Sequence, residues 1–225
     1  MSLHLLLPLL VWGTLVGLDL VSVPQMMIAR PLVAGAIAGA LLGDLWTGAT
    51  LGVLFELFQY EVLPFGAARY PEYGPATVAA VSAAHGPAGV LGLGLGALVG
   101  LITAMAGGVS LHLVRRLNVR AVRHRAAALE AGDPRVLVRL HVGGIGRDAI
   151  RAAVVTALGL GLAHLARVYL AGTLPVRAVL FLNVAAVGAA LAAGTVGALR
   201  LVGRGASLRW FALGVLGGAV VVWLR

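Results

Sequence analysis

Residues 43–58, GDLWTGATLGVLFELF, read as membrane-buried helix in nearly every letter, yet the stretch opens on Gly43-Asp44 and carries Glu56. A carboxylate in hydrocarbon is costly, so ionisable groups in such segments face the bundle interior or a wet cavity and keep a partner. The run just upstream, residues 31–43, is equally apolar. As helices the two runs rise roughly 20 Å each against about 30 Å of hydrocarbon, too short to span comfortably. They read as half-helices, a re-entrant hairpin, or helices broken inside the protein. Interrupted backbone at that depth must be buried in protein or line a water-filled cavity, and paired short segments point to a transport site.

Glycines support this reading. Gly35, Gly39 and Gly43 recur every four residues, and Gly48 and Gly52 continue the spacing. Four-residue spacing keeps neighbours on one helical face, where glycine lets another helix approach closely. Asp44 and Glu56 end the stripe, about 18 Å apart along a continuous helix, so they are not an acid/base pair.

Outside this block the composition is 60% hydrophobic and 11% charged, with a mean hydropathy of +1.01, which excludes an ordinary soluble domain. The apolar runs are continuous rather than alternating, which excludes a transmembrane β-barrel. The 32 glycines, roughly twice the usual share, suit helix packing in lipid. The fold class expected is an all-α membrane protein, a polytopic helical bundle of about six to eight segments with short broken or re-entrant helices.

All 17 basic side chains are arginine and the formal charge is +9. Nine of those 17, at 115, 116, 120, 123, 125, 135, 139, 147 and 151, crowd one stretch. Arginine-rich loops mark the cytoplasmic side of membrane proteins, so no nucleic-acid partner is inferred. The chain reads as one membrane domain, 1–225, with a basic cytoplasmic amphipathic segment at about 111–150. Spans are expected at 3–18, 88–110, 150–171, 176–199 and 208–224. Arg200, Arg204 and Arg209 form a second basic loop on the same side after two crossings. Residues 3–18 lack a charged n-region and a cleavage site, and read as a retained segment. Residues 59–75, punctuated by Pro64 and Pro71, read as a polar loop. Cysteine is absent, which removes thiolate chemistry. GLGLG at 92–96 lacks the spacing, strand and downstream acid of a dinucleotide fingerprint, and no cofactor is expected.

The 30–72 block resembles the membrane IIC subunit of the mannose/fructose/sorbose class of bacterial phosphotransferase system (PTS) sugar transporters. The resemblance rests on RPLVAG at 30–35, on GD followed by TG, on Glu56 twelve residues after Asp44, and on FGAARYPE at 65–72. A weaker match runs on through His124, Gly132, Asp133, His141 and Arg151, and in all it covers about residues 19–155. Met27 and Glu61 stand where the family tends to show glutamine and glycine; Gln25 lies two positions before Met27. The resemblance implies a transport subunit in the bacterial inner membrane that binds a hexose and pairs with a IID membrane subunit in an oligomeric complex. Cytoplasmic IIB and IIA subunits supply the phosphoryl group, and no histidine of IIC carries it. A second function class is a non-transporting regulatory or structural membrane remnant of such a system.

Sugar hydroxyls are neutral and need hydrogen-bond acceptors and donors rather than a counter-charge. The substrate-binding candidates are Glu56, Asp44, Arg30, Gln25 and Gln59. Each has a plainer alternative. Glu56 can reach interfacial water from a helix end, and Asp44 can cap the following helix. Arg30 can neutralise Asp19, Asp44 or Glu56. Gln25 and Gln59 can be interfacial loop residues. His124 and His141 lack the companion ligands a metal requires and read as solvated or capping groups. Trp12, Trp210 and Trp223 read as interface anchors.

Overall fold

The computed structural model describes residues 3–61, 70–86, 92–170, 172–202 and scattered positions between 209 and 220. The expected loop positions 62–69, Arg204, Trp223 and much of the run 208–224 lie outside the described residues. Among the described residues the secondary structure is helical: α1 (Leu3–Asp19), α2 (Pro31–Leu41), α3 (Leu45–Glu61), α4 (Tyr73–Ala84), α5 (Leu93–Arg123), α6 (Ala126–Glu130), α7 (Pro134–Leu165) and α8 (Val176–Val202). A π-helical turn, Ala166–Leu170, extends α7.

Among the described residues three helices are long and apolar enough to cross a membrane: Leu93–Arg123, Pro134–Leu170 and Val176–Arg200. The break between α2 and α3 falls where the sequence placed it, for a local reason. Gly43 adopts φ +74°, which favours glycine. Its N–H bonds the Ala40 carbonyl at 3.1 Å, and the Asp44 N–H bonds the Gly39 carbonyl at 2.8 Å. That pair of bonds is a Schellman stop. Asp44 then restarts the chain, its Oδ1 accepting from the Thr47 N–H at 3.1 Å as an N-cap.

The glycine stripe is thereby folded onto itself. A methyl built on Gly39 would sit 2.8 Å from Gly48 Cα, and one on Gly52 would sit 2.9 Å from Leu32 Cα. The two halves of the stripe face one another at backbone contact, so the close partner is the other arm of the same hairpin. The apolar residues Leu32, Val33, Ile37 and Leu41 remain on its outer surface.

Around this hairpin the helices stop at different levels. α1 ends beside Ala152, since a methyl on Gly17 would meet Ala152 Cβ at 2.7 Å. α4 begins beside the middle of α5, where a methyl on Gly107 would lie 2.7 Å from Glu72 Oε2. Every residue of the 12-residue α4 is buried, as expected of a helix apolar on all sides. Its segment YGPATVAAVSAA is short and made mostly of small residues, so it yields no clear amphipathic or spanning pattern.

The basic stretch does not form a separate layer. It is the far end of α5, the short α6 and the first half of α7, because helix α5 runs without a breaker to Arg123. Gly132 at φ +76° and the Asp133 cap on Arg135 N–H at 2.9 Å restart the chain as α7. Trp12 donates to the Ala34 carbonyl of α2 at 3.0 Å, a tie from one helix to another. Trp210 is exposed.

Candidate functional site

Three of the five sequence candidates converge on one pocket. A cavity of about 230 Å³ is lined by Asp19, Gln25, Met27, Arg30 and Gln59, together with Leu20 and Ala29. The α1–α2 connection supplies most of this wall and the last turns of α3 supply Gln59. Gln59 is helical, on α3 rather than in a loop.

Glu56, one turn before Gln59, holds the pocket's arginine. Its carboxylate forms an ion pair with Arg30, and its Oε2 accepts the Leu32 N–H at 3.3 Å. Leu32 is in the first turn of α2, so Glu56 caps across the hairpin a helix whose own cap residue, Arg30, offers no acceptor. The negative charge also complements the positive end of the α2 dipole. The Arg30 side chain is 40% exposed and that of Glu56 only 13%. The guanidinium therefore keeps one face toward the open pocket while Glu56 anchors it. Asp44 lies at the other end of the hairpin, capping α3, and does not join the pocket.

Sequence reasoning named Asp19 only as a partner for Arg30. In the structure it clamps the loop that follows it, its Oδ1 accepting from Met26 N–H at 2.6 Å and its Oδ2 from Ala29 N–H at 2.9 Å. The loop needs this clamp because Gln25 (φ 58°) and Met27 (φ 64°) sit in the left-handed region, which costs a non-glycine residue roughly 1–2 kcal/mol each. The signal available was Asp19 itself, an acid closing a 17-residue apolar helix.

Beside this loop is a buried charge cluster that the site candidates did not include. Arg151, near the middle of α7, is bidentate to Glu72, with Nη2 to Oε1 at 3.0 Å and Nη1 to Oε2. Its Nε donates to Asp148 Oδ1 at 2.7 Å and its Nη2 to the Gly17 carbonyl at 3.1 Å. Ser22 in the α1–α2 connection donates to Asp148 Oδ2 at 2.5 Å. Two carboxylates and one guanidinium thus tie the ends of α1 and α4 to α7, with every charged member buried. Gly107 and Gly108 of α5 leave room for the Glu72 side chain and the Tyr70–Pro71 backbone. The signal here was Asp148 and Arg151 three residues apart at the head of an apolar run.

Chemically, the pocket offers a carboxylate, two amides and an anchored guanidinium, a set of donors and acceptors without a nucleophile poised beside a base. Such a set can hydrogen-bond and orient a polar, neutral molecule. The family model described as the PTS system sorbose-specific IIC component matches residues 4–221 of this sequence. The chain belongs to that family.

The curated IIC relatives include the sorbose-specific EIIC component of Klebsiella pneumoniae, 32% identical over 56% of this chain and 46% of that protein. The mannose-specific EIIC component of Escherichia coli K12 is 32% identical over 59% and 50%. The fructose permease IIC component of Bacillus subtilis is 30% identical over 56% and 46%. The chain spans about half the length of these curated relatives. Among solved structures, one described as a membrane protein matches with a TM-score of 0.72 at 20% identity, covering 100% of this chain and 96% of that one. The mannose transporter ManYZ in complex with microcin E492 matches with a TM-score of 0.60 at 21% identity, covering 97% and 87%. These two likenesses concern the fold: an all-helical membrane architecture with short helices among the long ones.

Proposed function

We propose that this IIC chain binds a hexose in the pocket between the α1–α2 connection and the end of α3, and moves it across the bacterial inner membrane for phosphorylation by a cytoplasmic IIB subunit. The observation that carries the reading is the convergence of Gln25, Arg30 and Gln59 on one cavity of about 230 Å³, with Glu56 anchoring the arginine. Gln25 and Gln59 act as amide donors and acceptors to sugar hydroxyls. Arg30 donates to a hydroxyl while Glu56 holds its charge. Asp44 keeps the hairpin folded from the opposite end. The phosphoryl group travels through IIA and IIB, so no histidine of this chain needs to carry it. A IID membrane subunit pairs with this chain in the assembled complex.

Met27, an apolar residue where the resemblance leads one to expect glutamine, lines the same pocket. It favours a second reading in which the chain has lost transport and serves as a regulatory or structural membrane component. Uptake of radiolabelled hexose separates the two. Cells lacking their own mannose-type permease, and supplied with this chain and its partner subunits, should accumulate phosphorylated sugar. Gln25→Ala and Gln59→Ala should raise the half-saturating sugar concentration severalfold. Absence of uptake with all subunits present in the membrane would leave the regulatory reading standing; uptake insensitive to both variants would move the site elsewhere.

A further inference from the structure

A second cavity lies apart from the proposed sugar pocket. It occupies about 670 Å³ where α4 ends, α5 begins, the π turn closes α7 and α8 starts. Ala84, Leu95, Val168, Val179 and Leu182 make most of its wall apolar, and His85 and Arg167 are its ionisable members. The sugar pocket adjoins the α1 terminus, whose neighbour Arg151 binds Glu72 at the head of α4; this cavity is at the tail of α4.

Four observations meet here. His85 Nδ1 is buried with no hydrogen-bond partner among the described residues, and a buried polar atom left so calls for an occupant or a cost. Arg167 projects a guanidinium to the same place, with Nη1 donating to the Ser82 and His85 carbonyls at 3.2 and 3.4 Å. The chain's eight acidic residues are Asp19, Asp44, Glu56, Glu61, Glu72, Glu130, Asp133 and Asp148, and none of them lines the cavity. The segment that carries Arg167 and Val168 is the π-helical turn Ala166–Leu170, a local irregularity that recurs at functional sites.

The position supplies the ligand. Leu93, Leu170 and Val176 are the ends, on the side away from the α5–α7 basic hairpin, of the three helices long and apolar enough to cross a membrane, so the cavity lies at one end of those helices. A cationic recess between transmembrane helices, apolar along most of its wall, matches an amphiphile with an anionic head. We infer that the cavity where α4, α5, the π turn and α8 meet is a binding site for an anionic phospholipid, its phosphate facing Arg167 and His85 and an acyl chain filling the apolar part.

The test uses the full chain purified in a neutral detergent and titrated, by native mass spectrometry, with phosphatidylglycerol and separately with phosphatidylcholine. One saturable equivalent of phosphatidylglycerol should bind roughly five- to tenfold more tightly than phosphatidylcholine, the preference one cation confers. Arg167→Gln should abolish the preference, and His85→Leu should reduce it. Val179→Trp, which fills the space, should remove the tight equivalent, with the thermal unfolding midpoint verifying that each variant is folded. Arg116→Gln, on the basic hairpin, should leave it intact. Because Arg167 also holds α4 carbonyls, His85→Leu and Val179→Trp decide the matter if Arg167→Gln does not fold. Equal binding of the two lipids, or a tight equivalent that survives Val179→Trp, overturns the inference. Displacement of the lipid by millimolar inorganic phosphate overturns it too, since the site would then take the free anion.

Discussion

Glu56 on α3 reaches across the hairpin to pair with Arg30 at the head of α2 and, through its other oxygen, to accept the Leu32 N–H. The carboxylate thus closes the two arms of the broken helix at the end opposite Asp44, and sets the guanidinium against the proposed sugar pocket. Glu56→Gln keeps an acceptor for Leu32 but loses the ion pair. Because Arg30 is partly exposed, the loss to stability should be small, within about 1 kcal/mol. The loss to function should be larger: the half-saturating sugar concentration should rise severalfold with insertion unchanged. Arg30→Gln should do the same, and the double variant should be little worse than either, as for residues acting as one unit. Additive losses in uptake assays would show that the two act separately.

The contact between the arms predicts a sharp contrast among glycines. A methyl on Gly39 would lie 2.6 Å from the Asp44 carbonyl oxygen and 2.8 Å from Gly48 Cα, both backbone, while one on Gly188 of α8 would meet nothing within 4 Å. Gly39→Ala should lower stability by about 1–3 kcal/mol, as overpacking does. Gly188→Ala should be neutral or slightly stabilising, since alanine favours helix. Thermal midpoints in detergent read both directly. Equal effects would mean that the hairpin arms do not touch as described.

These two cases mark what was legible in the sequence. Gly43-Asp44 as a stop and restart is local chemistry: the stop bonds span three and five residues, and the cap bond three. The four-residue glycine spacing is likewise periodic and local. What the letters did not disclose is that the two halves of the stripe pair with each other, and that Glu56 caps a helix 24 residues earlier. The buried Arg151 cluster was hidden for the same reason, its bonds to Glu72 and from Ser22 to Asp148 spanning 79 and 126 residues. Helix α4 escaped because a short run of small residues, apolar on all sides, carries no periodic signal.

The Arg151 cluster should be the least tolerant part of the chain. Arg151→Met leaves Glu72 and Asp148 buried without their cation, and breaking such a pair typically costs about 3–5 kcal/mol. Arg151→Lys should rescue only part, because an ammonium cannot reproduce the bidentate contact. Glu72→Gln with Arg151→Met should be less damaging than the two single losses added together. Protease resistance of the purified chain, followed with denaturant, measures all four variants. A mild Arg151→Met phenotype would indicate that water reaches the cluster.

The loop that carries Gln25 offers a test in which stability and function part company. Asp19 clamps it through Met26 and Ala29 N–H groups against the left-handed backbone of Gln25 and Met27. Met27→Gly removes the side chain that disfavours φ 64° and should relieve part of the roughly 1–2 kcal/mol of left-handed strain. Asp19→Asn keeps one acceptor where two are needed, so it should loosen the loop, and the half-saturating sugar concentration should rise with little change in maximal rate. The second substitution acts only if Gln25 contacts sugar, so Gln25→Ala is its internal reference. If Gln25→Ala impairs affinity while Asp19→Asn does not, the loop holds its shape without the clamp. If neither does, the pocket between α1, α2 and α3 is not where the sugar binds.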